Sequence, residues 1–221
     1  METPSYLAVE GVISVGKTEF ARRLAGQLDA KLVLEDPDSN PFLHDFYQDM
    51  RRYAFPTEVC FLLQRHKQLL ALPQRDLFHQ ITVSDYLFAR NRIFANLTLD
   101  ESELKLYENL LAVLEKDIPK PDVVIYLQAS TDQLIERAAR RSPALDQGPT
   151  PDYIRTLNEM YNRFFLHYWE TPLLIVNANE FDALCSETNV RTVVDLIQQP
   201  RFGTEYYIPQ SRDHSTLELP S

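Results

Sequence analysis

Glycine is scarce in this chain, with five among 221 residues, so two of them bracketing a short loop stand out against chance. Cysteine is scarcer still. Cys60 and Cys185 have no metal-ligand spacing and fall far below the density of a disulfide framework, which fits a reduced, cytoplasmic protein. The five histidines are scattered without metal spacing and are assigned no chemistry. Basic residues are outnumbered, 22 against 32 acids, for a net charge of −10. That balance opposes non-specific binding to nucleic acid or anionic lipid, although a local basic patch can still hold a phosphorylated small molecule. No apolar run approaches the roughly 18 residues of a membrane span, and the first strand begins almost at the N-terminus, leaving no room for a signal peptide. Neither a nucleic-acid nor a membrane partner is expected.

What is present is a strand, a loop and a helix start. An apolar run from Tyr6 leads into Gly11-Val12-Ile13-Ser14-Val15-Gly16-Lys17-Thr18, and an amphipathic helix begins at Lys17. The spacing lets successive backbone N–H groups point at one anion, at the positive end of that helix. A nucleoside triphosphate suits such a site. Lys17 would reach the β and γ phosphates, and the Thr18 hydroxyl would hold Mg²⁺.

Short apolar runs alternate with helical patterns through the rest of the chain. Residues 31–35 read as a strand ending in Glu35, and residues 78–85 as a strand ending in Asp85. Residues 121–128 form a continuous apolar run of the kind buried on both faces of a parallel sheet, and residues 172–177 form the fifth strand. Helices are expected over 41–50 and 56–70, each with proline in its first turn, and over 86–96, 101–115, 152–169 and 189–198. Asp100 and Glu103 have the form of a capping box for the fourth of these. The pattern is a doubly covered α/β fold with a five-stranded parallel sheet. One domain is expected over residues 1–199, with a tail from residue 200 that lacks a clear period. Ligands in such sheets bind beyond the carboxyl ends of the strands, where Gly11, Glu35 and Asp85 all fall.

Each candidate side chain has a plainer alternative. Glu35 would act as general base towards an alcohol attacking the γ-phosphate, or be a turn acid ahead of Pro37. Asp85 would support Mg²⁺, or cap a helix in solvent. Arg137, Arg140 and Arg141 crowd one helix end, where they would clamp a phosphoryl group as a lid or complement the helix dipole. Gln64 offers a donor and an acceptor to a nucleobase edge, or faces solvent. Phe42, Phe46, Tyr53, Phe55 and Phe61 line a base pocket or the core.

Taken together, residues 5 to 182 resemble the deoxynucleoside kinase family, particularly the bacterial deoxyadenosine and deoxyguanosine kinases. The resemblance is carried by Glu10-Gly-Val-Ile-Ser-Val-Gly-Lys-Thr18, Leu34-Glu35-Asp-Pro, Asn40-Pro-Phe-Leu, Phe55-Pro-Thr-Glu, Phe61-Leu-Leu-Gln-Arg65 and Ser84-Asp-Tyr-Leu-Phe. Ile93-Phe-Ala, the strand from Pro121 and an arginine lid complete it. It implies a P-loop kinase fold, a homodimer, and Mg²⁺-dependent transfer from ATP to the 5′-hydroxyl of a deoxynucleoside. It also implies that Glu35 takes the hydroxyl proton, Gln64 reads the base and Tyr53, eleven residues earlier, contacts the sugar. Arg137 and Arg141 become lid arginines, Asp146 the acid near the sugar 3′-hydroxyl, and Phe181 part of the loop that holds the adenine of ATP.

Three positions depart from the family pattern. The arginine that many members carry in the motif after strand three is missing from Ser84-Asp85-Tyr86 unless Arg90 or Arg92 replaces it. Pyrimidine-using relatives carry an arginine seven residues after the base-reading glutamine, and Ala71 here points to purine nucleosides. Pro143 stands where some relatives have a second lid arginine, leaving Arg140 to share that duty. Two rival readings remain: a nucleoside monophosphate kinase of thymidylate-kinase type, and a nucleotide-binding regulator without phosphoryl transfer.

Overall fold

The computed structural model of the protein describes residues 4–72, 79–141, 148–199 and 203–210. Strands β1 (Tyr6–Gly11), β2 (Lys31–Val33), β3 (Thr82–Ser84), β4 (Val123–Gln128), β5 (Leu173–Asn177) and β6 (Thr204–Tyr207) form one sheet in the order β2-β3-β1-β4-β5-β6. Every pairing is parallel. Parallel neighbours need crossovers, and the helices supply them. These are α1 (Lys17–Leu28), α2 (Leu43–Gln48), α3 (Met50–Leu70), α4 (Arg90–Thr98), α5 (Glu101–Leu114), α6 (Thr131–Arg141), α7 (Pro151–Leu166), α8 (Phe181–Leu184) and α9 (Glu187–Gln198). Helix α1 packs with α9, while α3, α4 and α7 pack in a second group.

β4 is the middle of the core. It lies between β1 and β5, and Val124, Ile125 and Leu127 are fully buried. Burial on both faces explains why its sequence is an unbroken apolar run. On the helical side Tyr126, Tyr161 and Phe165 stack over one another, with the Tyr126 and Phe165 ring centroids 4.1 Å apart.

Two expectations about the elements are corrected. The sheet has six strands instead of five, because Thr204–Tyr207 in the tail pairs with β5 through Ile175↔Tyr206 and Val176↔Tyr207. This edge strand is mostly exposed and carries no buried alternation that a sequence pattern would reveal. The second correction concerns Pro56, which lies inside α3 instead of opening it. The helix starts six residues earlier at Met50, capped by Asp49, whose side chain accepts from Arg52 N at 3.2 Å. The capping box of Asp100 and Glu103 opens α5 as the sequence implies.

Candidate active site

β1 delivers the chain to the loop at Gly11. A Cβ there would lie 2.7 Å from the Leu127 carbonyl oxygen on β4, so only glycine lets the two strands stay in register at this point. Ser14 and Gly16 take positive φ values, 68° and 106°. Gly16 caps α1 without a side-chain hydrogen bond, which leaves the first N–H groups of the helix for an anion. Lys17 Nζ lies across the loop, donating to the carbonyls of Gly11 at 2.8 Å and Val12 at 3.2 Å. Burial brings its pKa down to about 8, and repulsion from Arg90 adds to this against the pull of Glu10, Glu35 and Asp85.

Behind the loop, Asp85 joins three elements. Its Oδ2 accepts from Thr18 Oγ1 at 2.5 Å and its Oδ1 from the backbone N–H of Glu35 at 2.8 Å. It is 3% exposed, so it is no solvated helix cap. A hydroxyl beside a carboxylate is an oxygen-only donor pair of the kind Mg²⁺ prefers when it shares its shell with phosphates. No group of three or more His, Cys, Asp or Glu side chains among the described residues makes a separate metal cluster.

Glu35 follows β2 and is held by two guanidinium groups. Arg65 on α3 donates to its Oε1 from Nε at 2.7 Å and again from Nη2, and Arg90 on α4 donates to Oε2 at 3.1 Å. Burial alone would raise the Glu35 pKa, but Arg65 and then Arg90 outweigh it and hold the carboxyl down at about 2. Of the two arginines that stood as replacements beside Asp85, Arg90 is therefore the one at the site. Arg92 turns away and pairs with Glu115.

Lys17, Thr18, Glu35, Asp85 and Arg90 open into one cavity of about 340 Å³, within the range of small-molecule pockets. Its other walls include Phe46, Tyr47, Glu58, Phe61 and Tyr153. Phe46 and Phe61 are where the sequence puts a base pocket, but Phe42 and Phe55 do not line it. Nor do Gln64 and Tyr53. The Gln64 amide donates to Ser39 Oγ at 3.0 Å and lies 3.5 Å from Cys60 Sγ, while the Tyr53 ring sits under Arg52. Tyr47 and Glu58 are also eleven residues apart, and both line the cavity. The residue seven positions beyond Glu58 is Arg65, which lines the cavity as well, whereas Ala71 does not.

A second cavity lies on the other side of the loop, lined by Gly16, Arg137, Arg140, Asn179 and Phe181. Arg137 ties its walls together, donating to the carbonyls of Val15 at 3.3 Å, Ala178 at 2.8 Å and Asn179 at 2.7 Å, with its guanidinium 5.5 Å from the Phe181 ring centroid. Arg140 pairs with Glu136 one turn back and is largely exposed. The side chain of Arg141, and Pro143 and Asp146 entirely, lie outside the described residues.

Sequence reasoning assigned no role to Glu10 or Arg65 in holding the site together. Glu10 is fully buried, accepting from Gly11 N, Leu87 N and the Tyr161 hydroxyl, and so braces the start of the loop. The available signal was an acid inside an otherwise apolar strand, which a β-strand buried on both faces tolerates only with partners.

The family model described as "Deoxynucleoside kinase" matches residues 7–200. A Bacillus subtilis deoxyguanosine kinase is 32% identical over 162 residues, covering 73% of this chain and 78% of that protein. A deoxyadenosine/deoxycytidine kinase of the same organism is 27% identical over 203 residues, covering 87% and 91%. The solved structure of deoxyadenosine kinase from M. mycoides with bound dATP shares the fold at a TM-score of 0.74 and 22% identity, covering 88% of this chain and 100% of that one. The chain belongs to the deoxynucleoside kinase family and is an ATP-dependent kinase that acts on deoxynucleosides.

Proposed function

We propose that the chain moves the γ-phosphate of ATP to the 5′-hydroxyl of a deoxynucleoside, purine nucleosides first, in nucleotide salvage. The reading is carried by one observation: Glu35 lines the same cavity as Lys17 and Thr18. ATP would occupy the loop and the cavity of Arg137 and Phe181, with its γ-phosphate at Lys17. The nucleoside would fill the cavity of Tyr47 and Phe61 and present its hydroxyl to Glu35. Likeness to relatives named for deoxyguanosine and deoxyadenosine supports the purine preference.

In this scheme Glu35 first orients the alcohol by accepting its hydrogen bond. The phosphoryl group passes through a loose transition state, so the alcohol becomes acidic late, and even a weakly basic carboxylate can then take its proton. Arg65 and Arg90 keep that carboxylate ionised and fix its direction. Lys17 and the lid arginines balance charge on the transferring group. Thr18 and Asp85 would hold Mg²⁺, which would supply positive charge to offset that of the phosphates. A panel of the four deoxynucleosides and their monophosphates with ATP and Mg²⁺ tests the reading. Phosphorylation of nucleosides supports it, and transfer only to monophosphates overturns it.

The same proposal includes a cytoplasmic homodimer. No helix among the described residues is long and apolar enough to cross a membrane. Trp169, 87% exposed and just past the end of α7, lines an apolar depression shared with α4, a face suited to a second copy.

A further inference from the structure

One carboxyl in the acceptor cavity has no part in the scheme above. Glu58 projects from α3 and is 3% exposed. Among the described residues no cation forms an ion pair with it, and its side chain accepts one long hydrogen bond, 3.4 Å from the Thr98 hydroxyl. Arg65 on the same helix and Arg90 on α4 face it, but both guanidinium groups are engaged by Glu35. The other titratable groups around it are Glu35 itself, Tyr47 on α2, Tyr107 on α5 and Tyr153 on α7. Burial lifts the carboxyl to about 7, against the smaller pull of Arg65, Arg90 and Thr98. A buried carboxyl without a counter-ion is unfavourable, and its place in a ligand cavity calls for a ligand that uses it.

Such a group can present either of two patterns. Protonated, it sets an O–H donor beside a carbonyl acceptor, which complements a ring nitrogen next to an amino group, as on the N1/N6 edge of a 6-aminopurine. Ionised, it sets two acceptors side by side, which complements two adjacent donors, as on the N1/N2 edge of a 2-amino-6-oxopurine.

We propose that Glu58 reads the nucleobase, accepting a 6-aminopurine as the acid and a 2-amino-6-oxopurine as the carboxylate, so that its proton sets the preference between them. Resting on the acceptor-cavity reading above, this makes Glu58 the specificity-determining residue and leaves Gln64 outside the site.

The test is a competition between deoxyadenosine and deoxyguanosine for ATP in one vessel, from pH 5.5 to 8.5. Groups that serve both substrates, Lys17 and the arginines among them, cancel in the ratio of kcat/KM values. If the two substrates need opposite forms of one carboxyl, the ratio of deoxyadenosine to deoxyguanosine falls about tenfold per pH unit. In Glu58→Gln the slope vanishes, and because both substrates compete for the same molecules, partial misfolding of the variant leaves the ratio untouched. Calorimetry in two buffers of different ionisation enthalpy provides a check without a variant, with proton uptake when deoxyadenosine binds at pH 8. A ratio constant with pH, or a slope kept in Glu58→Gln, overturns this inference alone. Absence of transfer to either nucleoside at every pH overturns the kinase reading and this inference with it.

Discussion

Glu35 and Lys17 show how the same burial is resolved differently by neighbours. The carboxylate meets two guanidinium groups and stays ionised far below its usual range, whereas the ammonium meets Arg90 as well as acids and titrates at about 8. Two outcomes follow at this scale. Replacing Glu35 by Gln keeps the shape but removes the proton acceptor, and kcat should fall by about 10²–10⁴ with ATP affinity retained. Steady-state kinetics and an ATP-binding titration check it, and a variant of near-normal kcat would remove Glu35 as the base. For Lys17 the sign is that of a depressed cation: the charge is complete well below pH 8 and lost as pH rises through it. The value of kcat/KM for ATP should therefore drop above pH 8, while protonation of Glu35 has no effect anywhere in the range from pH 5 to 9. A profile flat to pH 10 would contradict the Lys17 part.

At the scale of elements, the loop and the helix after β5 share one wall. A Cβ on Gly16 would collide with the ring of Phe181, and the φ of 106° is one that a side chain resists in any case. We expect Gly16→Ala to raise the KM for ATP at least about tenfold, and pairing it with Phe181→Ala to recover only the part due to the clash. The comparison of the two variants by ATP titration separates strain from crowding. The same loop was the most legible part of the sequence, because its glycines and its buried strand are dictated by backbone geometry. β4 was legible for a similar reason, being apolar at consecutive positions. The acceptor wall was not. Gln64 lies six residues beyond Glu58 on α3, which turns it through about 600°, or 240° around the axis, so an eleven-residue spacing to a tyrosine fits both while only one faces the cavity. Pro56 hid the true start of that helix, and with it the rotation that would have chosen between them. Arg90 was legible only as one of two candidates, since nothing in the spacing separates it from Arg92.

For the molecule as a whole, one sheet carries both cavities, and the exposed Trp169 lines a face shared by the end of α7 and α4. Replacing Trp169 by Glu puts a charge in that face, and if two copies meet there the variant should sediment as a monomer, with its fold intact by circular dichroism. An unchanged sedimentation coefficient would move the contact elsewhere. The paired arginines on Glu35 have a consequence for the cell's energy supply. A kinase that binds ATP before its alcohol risks handing the phosphate to water, and a free carboxylate near the γ-phosphate would help water do so. Arg65 takes two acceptor sites on Oε1 of Glu35 and Arg90 takes one on Oε2, so little of the carboxylate is left to a stray water, and a correctly seated 5′-hydroxyl would have the advantage for the site that remains. Arg90→Ala should thus waste more ATP per nucleoside phosphorylated, a ratio read by measuring ADP and nucleotide product together, and an unchanged ratio would show that fidelity against water is kept by some other part of the fold.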